Sequence, residues 1–297
     1  MRLVTRGDLD GLTCAVLICL KEKINSIMLI HPQDITEDRV EILEGDIIAN
    51  LPYHPNCSKW FDHHLHTATP TVRPLDFDGA FGQAPSAARL VYEYYNGAET
   101  MADLAYLVEE TDRLDSANLT QQDVLDPQGY ILLGFTIDGR TGLGAFEQYF
   151  HTLTGLLMKR TPIDELLAHP EVAHRVEVLK QQDAAFRKTL QTYSHQDGNV
   201  VITDLRDLEH VPVGNRFLIY ALYPQVNVSV RLQWGPKKEF PIMTVGHSIF
   251  NRTCKTNVGE LAARYGGGGH RGAGSIPLMD DPDQQIQMIV GELKAVG

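Results

Sequence analysis

One carboxylate and two imidazoles stand side by side at Asp62, His63 and His64. These side chains offer oxygen and nitrogen ligands to a divalent cation, so the run could form part of a metal site. A turn capped by Asp62 with two surface histidines is the other interpretation, and the run alone does not decide between them.

A pair of carboxylates lies near the N-terminus, at Asp8 and Asp10. They occupy a glycine-bearing turn between a short apolar segment and the helix-periodic segment 12–20, which is the opening of an α/β unit. A helix cap would explain one of the two carboxylates but not both. We therefore expect both to face one metal pocket.

Four successive glycines near the C-terminus, 266–269, precede His270 and Arg271. Glycines expose backbone N–H groups and let an anion approach closely, and the two side chains can add positive charge. A flexible linker is the alternative, but this stretch stands between a predicted helix and a predicted strand. The pattern predicts a phosphate-binding loop.

Short apolar segments alternate with helix-like ones through about the first 150 residues, which predicts a doubly wound, mainly parallel sheet with helices on both faces. The predicted strands are 1–5, 26–30 and 46–51, and the predicted helices are 12–20, 84–95 and 101–110. Ligands bind outside the carboxyl ends of such strands, where we expect the Asp-His-His run, directly after the 46–51 strand.

The second half of the chain is richer in β-forming residues. Predicted strands at 199–203, 216–222, 226–234 and 240–245 form a small, largely antiparallel sheet, followed by a helix at 258–265. Helix-forming residues at 161–191 predict a connector. The predicted domains are 1–155, a helical connector 156–197, and a smaller α+β domain 198–297.

The composition excludes several classes of protein. The formal charge of -12 repels a long polyanion, so coating of long nucleic acid is not expected. Four cysteines without paired spacing favour a reducing compartment, the cytoplasm, over a disulfide framework. The apolar runs are too short to span a membrane.

In this order and spacing, the three motifs resemble the DHH phosphoesterase family with its C-terminal DHHA1 domain, in the exopolyphosphatase-related branch. The resemblance implies two domains with a cleft between them, and a site that uses Mn²⁺ or Mg²⁺ to hydrolyse phosphoester bonds with a metal-activated water. It implies short substrates: oligoribonucleotides, linear or cyclic dinucleotides, or adenosine bisphosphate. An exopolyphosphatase or pyrophosphatase, and a non-catalytic nucleotide-binding protein, are the alternatives. A homodimer is a further expectation.

The resemblance also assigns roles to individual residues. The implied metal ligands are Asp8, Asp10, His63 and Asp112, with Asp115 as a rival to Asp112. The implied catalytic residues are His64, which faces the substrate phosphate, together with Arg6 and Asp62. The implied substrate-binding residues are Gly268, Gly269, His270, Arg271 and Asn50.

Two positions depart from the family pattern. Arg6 stands where the family has a histidine, and Asn50 stands where it has a metal-bridging aspartate. Asp46 is the other candidate for that aspartate, but it begins the strand, about 13 Å away along an extended chain. A guanidinium does not bind metal and an amide does not bridge two cations as a carboxylate does. We therefore expect one ion rather than two, with Arg6 clamping a phosphate oxygen in place of the second.

Overall fold

The computed structural model of the chain describes residues 1–64, 76–137, 146–279 and 281–296. The strands of the described part are β1 (Arg2–Thr5), β2 (Ser26–Leu29), β3 (Asp46–Ala49), β4 (Cys57–Asp62), β5 (Gly79–Phe81), β6 (Ser194–Asp197), β7 (Val200–Asp204), β8 (Val228–Trp234), β9 (Pro241–His247), β10 (Gly268–His270) and β11 (Ala273–Pro277). The helices are α1 (Leu9–Lys21), α2 (Pro32–Thr36), α3 (Ala87–Tyr94), α4 (Gly97–Thr100), α5 (Ala105–Asp115), α6 (Gln121–Leu125), α7 (Gly129–Thr136), α8 (Phe146–Met158), α9 (Ile163–Leu167), α10 (Pro170–Tyr193), α11 (Leu218–Leu222), α12 (Val258–Arg264) and α13 (Pro282–Val296). Short 3₁₀ turns cover Ala102–Leu104 and Pro236–Lys238.

The chain divides into two compact units. The first contains residues 1–118 and 127–179, and the second contains residues 119–126 and 180–297. The boundary between 179 and 180 falls inside α10, in the stretch that the sequence predicts as a helical connector.

The first unit is built on a parallel sheet with the strand order β2-β1-β3-β4-β5. One buried cluster, which includes Leu3, Leu17 and Phe61, contains residues of α1, α3, α5 and α8. A second cluster around Val4, Ile48 and Trp60 includes a residue of α2. Adjacent strand residues such as Leu3 and Val4 enter different clusters because side chains alternate across a sheet. The predicted α/β fold class is confirmed.

The sequence predicts the Asp-His-His run directly after the 46–51 strand, and this prediction is wrong. A separate strand, β4, pairs with both β3 and β5 and ends at Asp62. Its first half is only partly buried and includes Ser58 and Lys59, which is why it does not stand out as an apolar run. The run nevertheless lies at the expected edge, because β3 and β4 are parallel and so end on the same side of the sheet.

Two further local predictions are corrected. The helix predicted at 101–110 is a 3₁₀ turn followed by α5, which extends to Asp115, so Asp112 lies within a helix rather than after it. The strand predicted at 216–222 contains helix α11 instead. Its short apolar run has no alternation, and periodicity cannot separate a buried strand from a buried helix over so few residues.

The second unit contains a mixed sheet with the order β10-β11-β9-β8-β7-β6. Only the β7–β8 pair is parallel among these described strands, and the other pairs are antiparallel. Its buried cluster combines residues of the sheet, such as Val230 and Val245, with residues of α12 and α13, such as Leu261 and Ile289.

Candidate metal and phosphate site

Asp8 follows β1 and caps the N-terminus of α1. Its Oδ1 accepts the Gly11 N–H at 2.9 Å and the Asn50 Nδ2–H at 3.0 Å, and its Oδ2 lies 3.2 Å from Arg6 Nε. Desolvation raises the pKa of Asp8, although the Arg6 charge opposes this shift. Both carboxylate oxygens therefore have partners from the protein itself.

Asp10 lies in the first turn of α1 and is almost fully buried. Its Oδ2 accepts the Ala87 N–H at 2.9 Å and its Oδ1 accepts the Ala88 N–H at 2.7 Å, so the first amides of α3 hold this carboxylate. Burial raises the pKa of Asp10 well above its ordinary range, and repulsion from Asp115 raises it further.

His63 lies between two carboxylates. Its Nε2 is 3.1 Å from Asp115 Oδ2 and 3.6 Å from Asp10 Oδ2, while its Nδ1 lies 3.1 Å from the Ala84 carbonyl oxygen. Because that oxygen can only accept, Nδ1 carries a proton and donates it. Burial disfavours the charged ring, but Asp115 and Asp10 outweigh it and raise the pKa of His63 to about 9.

Asp10, His63 and Asp115 form a group that fits a divalent cation. Their candidate ligand atoms all lie within 4.8 Å of one another. Buried His63 Nε2 makes no hydrogen bond of good geometry, and the Nδ1–H bond to a carbonyl is the usual arrangement behind a metal-ligating histidine. A cation would also neutralise two carboxylates that otherwise repel each other. Two carboxylates and one imidazole are a donor set that could hold a divalent metal ion.

Asp112 has other partners. Its Oδ1 accepts the Ser86 Oγ–H at 2.6 Å, and its Oδ2 accepts Arg89 Nε–H at 2.8 Å. Of the two rival carboxylates, Asp115 is therefore the one that lies beside His63. Sequence reasoning did not single out Ser86 and Arg89, although Ser86 is a conventional N-cap residue ahead of an amphipathic helix and could have been noticed on that ground.

Asp62 is fully buried and organises the turn after β4. Its Oδ1 lies 2.9 Å from the His63 backbone N, 3.3 Å from the His64 backbone N and 2.8 Å from His64 Nδ1. The carboxylate accepts from both backbone amides, which fixes the chain here. It also orients the His64 ring, whose side chain is 38% exposed.

Asn50 follows β3 in the left-handed region, with φ 58°, a conformation that asparagine tolerates better than most residues. Its Nδ2 donates to Asp8, whereas its Oδ1 is buried without a hydrogen-bond partner. Asp46, the other candidate for the missing aspartate, is bound to Arg2 at the opposite end of β3. The two family departures, Arg6 and Asn50, thus both contact Asp8.

The glycine-rich stretch is a hairpin rather than an open loop. Gly268–His270 forms β10, and Arg271 and Gly272 make the turn into β11. A Cβ at Gly269 would lie 2.3 Å from the Ala273 carbonyl oxygen, so the close strand approach requires glycine there. At Gly268 a Cβ would meet nothing within 4 Å. His270 and Arg271 are exposed at the turn, in the second unit.

Known structures identify the family. Over 100% of this chain and 99% of the other, the protein is 39% identical to the pGpG-specific phosphodiesterase PggH of Vibrio cholerae, with a TM-score of 0.86. The chain belongs to the DHH/DHHA1 phosphoesterase family. The DHH/DHHA1 assignment confirms that it is a phosphoric ester hydrolase.

More distant DHH/DHHA1 matches support the fold alone. An exopolyphosphatase-related protein from Bacteroides fragilis is 14% identical, with 99% of this chain and 91% of that chain covered and a TM-score of 0.56. RecJ from Thermus thermophilus, in complex with Mn²⁺, is also 14% identical, with 99% and 51% covered and a TM-score of 0.56. No protein-family model and no curated protein matches the chain. Among the described residues, no helix combines the length and apolarity needed to cross a membrane.

Proposed function

We propose that the chain is a metal-dependent phosphodiesterase that hydrolyses the dinucleotide pGpG to two molecules of GMP. The observation that carries the choice of substrate is the 39% identity to a pGpG-specific phosphodiesterase over the whole of both chains. Three features of the site described above support this choice: a cluster for a cation, a fixed positive charge and a partly exposed imidazole.

Asp10, His63 and Asp115 hold the ion, which we take to be Mn²⁺ or Mg²⁺. A bound divalent ion lowers the pKa of a coordinated water and so supplies the nucleophile. The α3 amides keep Asp10 in position, and the Ala84 carbonyl keeps His63 in the tautomer whose Nε2 can bind the cation.

Arg6 and His64 contact the phosphoryl oxygens. The Arg6 Nε remains with Asp8 while the terminal guanidinium nitrogens bind a phosphate oxygen, which fixes the position of a permanent charge. Asp62 holds His64 through Nδ1, so Nε2 is the nitrogen that we assign to the substrate. Both side chains stabilise charge that increases on the phosphoryl group during attack.

The site binds one ion rather than two. Asp8 is engaged by Arg6, Asn50 and the Gly11 amide, and Asn50 supplies an amide instead of a bridging carboxylate. The positive charge of Arg6 stands in for a second cation. Asp8 and Asn50 accordingly position Arg6 and the start of α1.

The hairpin turn of the second unit binds a terminal phosphate of the substrate. His270 and Arg271 are exposed there, beside the extended backbone of Gly268 and Gly269. Charge-assisted hydrogen bonds from such groups would favour a dinucleotide with a 5′-phosphate over one without it.

The proposal extends to the setting of the enzyme. All four cysteines are free thiols, which supports the cytoplasm as its compartment. A homodimer is proposed as well, and light scattering of the purified protein measures the mass that tests it.

The function is tested by following nucleotide release with added Mn²⁺ from pGpG, pApA, GpG without a 5′-phosphate, adenosine 3′,5′-bisphosphate and pyrophosphate. We expect GMP from pGpG, slower hydrolysis of the other dinucleotides, and none in Asp115→Asn. Turnover confined to pyrophosphate would favour the pyrophosphatase alternative. Binding of pGpG without turnover of any compound would identify a nucleotide-binding protein and refute the proposal.

A further inference from the structure

A short segment, residues 84–89, contacts two of the three members of the Asp10, His63 and Asp115 group. Its first residue accepts the His63 Nδ1–H through a carbonyl oxygen. Its Ala87 and Ala88 amides, at the start of α3, donate to both oxygens of Asp10. The position of this segment therefore sets the orientation of both side chains.

The same segment is bound to α5 through hydrogen bonds to the Asp112 carboxylate. Ser86, the N-cap of α3, accepts the Arg89 N–H and donates to Asp112 at 2.6 Å, and the Arg89 guanidinium pairs with the other carboxylate oxygen. Ser86 is fully buried, and the Asp112 side chain is only 14% exposed. Hydrogen bonds between charged partners in such surroundings are among the stronger ones in proteins.

Helix α5 also carries the third member of the group. Asp112 and Asp115 are three residues apart and share one face of the helix. One helix thus contributes Asp115 directly, and through Asp112 it fixes the segment that orients Asp10 and His63. We propose that Asp112 is a positioning residue for the cation site, acting through Ser86 and Arg89, and is not a metal ligand.

The inference rests on the proposed metal-dependent function, but its deciding measurement, the Mn²⁺ affinity, needs no substrate. Mn²⁺ affinity of the full chain is measured by electron paramagnetic resonance, which separates free from bound ion, for the wild type, Asp112→Asn and Asp115→Asn. Changes to residues that orient metal ligands typically weaken affinity about 10- to 100-fold. We expect this loss in Asp112→Asn, with pGpG turnover restored at saturating Mn²⁺. Asp115→Asn should not recover turnover.

Arg89→Met provides a second variant, since Arg89 lies partly at the surface and does not belong to the cation group. Circular dichroism confirms folding, and we expect several-fold weaker Mn²⁺ binding. Two results would overturn the inference. If Asp112→Asn loses Mn²⁺ binding as completely as Asp115→Asn does, Asp112 is a direct metal ligand. If the Mn²⁺ affinity is unchanged in both Asp112→Asn and Arg89→Met, the contacts of Asp112 only cap the helix. Failure of pGpG turnover in the wild type would refute the function without affecting this result.

Discussion

Replacing Asn50 with aspartate tests whether the folded chain can accommodate a carboxylate at this position beside Asp8. The Asn50 side chain is buried and donates to Asp8 at 3.0 Å. Asn50→Asp removes a hydrogen bond to a charged group, worth about 1.5–3 kcal/mol. It also places two carboxylates about 3 Å apart, with a repulsion of about 5 kcal/mol at an effective dielectric constant of about 20.

Solvent reduces this repulsion, because the Asp8 side chain is 33% exposed. A proton shared by the two carboxylates reduces it again. We therefore expect a net loss of about 3 kcal/mol, which for a unit of this size lowers Tm by about 6–12 °C. The loss should grow as the pH rises above about 4, the ordinary pKa of an aspartate, because a carboxyl whose pKa is raised by folding destabilises the folded state once the unfolded chain ionises it.

The assay is thermal unfolding of metal-free protein, repeated with saturating Mn²⁺. Asn50→Gly keeps the positive φ at no steric cost and removes the amide without adding charge, while Asn25→Asp adds the same charge at an exposed position of the first unit. Mn²⁺ should recover more stability in Asn50→Asp than in either control, because the new carboxylate and Asp8 together offer a second cation site that the wild type lacks. Equal stability of Asn50→Asp and the wild type without metal would refute the reasoning.

Four other substitutions separate the proposed roles. Arg6→Lys keeps the positive charge but loses the planar guanidinium group, so kcat should fall about tenfold or more in the pGpG assay. The Mn²⁺ affinity should stay within a few-fold of the wild type, and a large loss of affinity would contradict the phosphate-binding role of Arg6. Asp62→Asn should lower kcat, because the Asp62 carboxylate no longer orients the His64 ring through Nδ1, and an unchanged rate would contradict that role. Gly268→Ala should leave Tm unchanged and raise KM, and an unchanged KM would exclude the Gly268 backbone from substrate binding. Gly269→Ala should instead lower Tm by several degrees, because the added Cβ clashes with the Ala273 carbonyl oxygen.

Much of the fold could be predicted because its strands and helices have distinct local patterns of apolar residues. The apolar segment before Asp8 and the helix-periodic segment after it define a strand, turn and helix, as observed in β1 and α1. Strand β4 was missed because half of its residues are only partly buried, and α11 was mistaken for a strand because its apolar run is too short to show a period.

The contacts of the individual carboxylates could not be predicted in the same way. Asp112 and Asp115 occupy equivalent faces of one helix, and only their tertiary partners distinguish them: Arg89, 23 residues before Asp112, and His63, which follows β4. Likewise, Asp8 and Asp10 are alternate residues of one turn, yet only Asp10 joins the cation group. Such assignments depend on contacts that sequence spacing does not specify.

A titration of metal-free protein with Mn²⁺ tests the central claim most directly. Bound Mn²⁺ and GMP release from pGpG are measured on the same samples. We expect turnover to be absent without metal and to rise in proportion to bound ion until both saturate at one Mn²⁺ per chain, held by Asp10, His63 and Asp115. Hydrolysis without metal, or turnover that develops only as a second ion binds, would contradict the single-ion site.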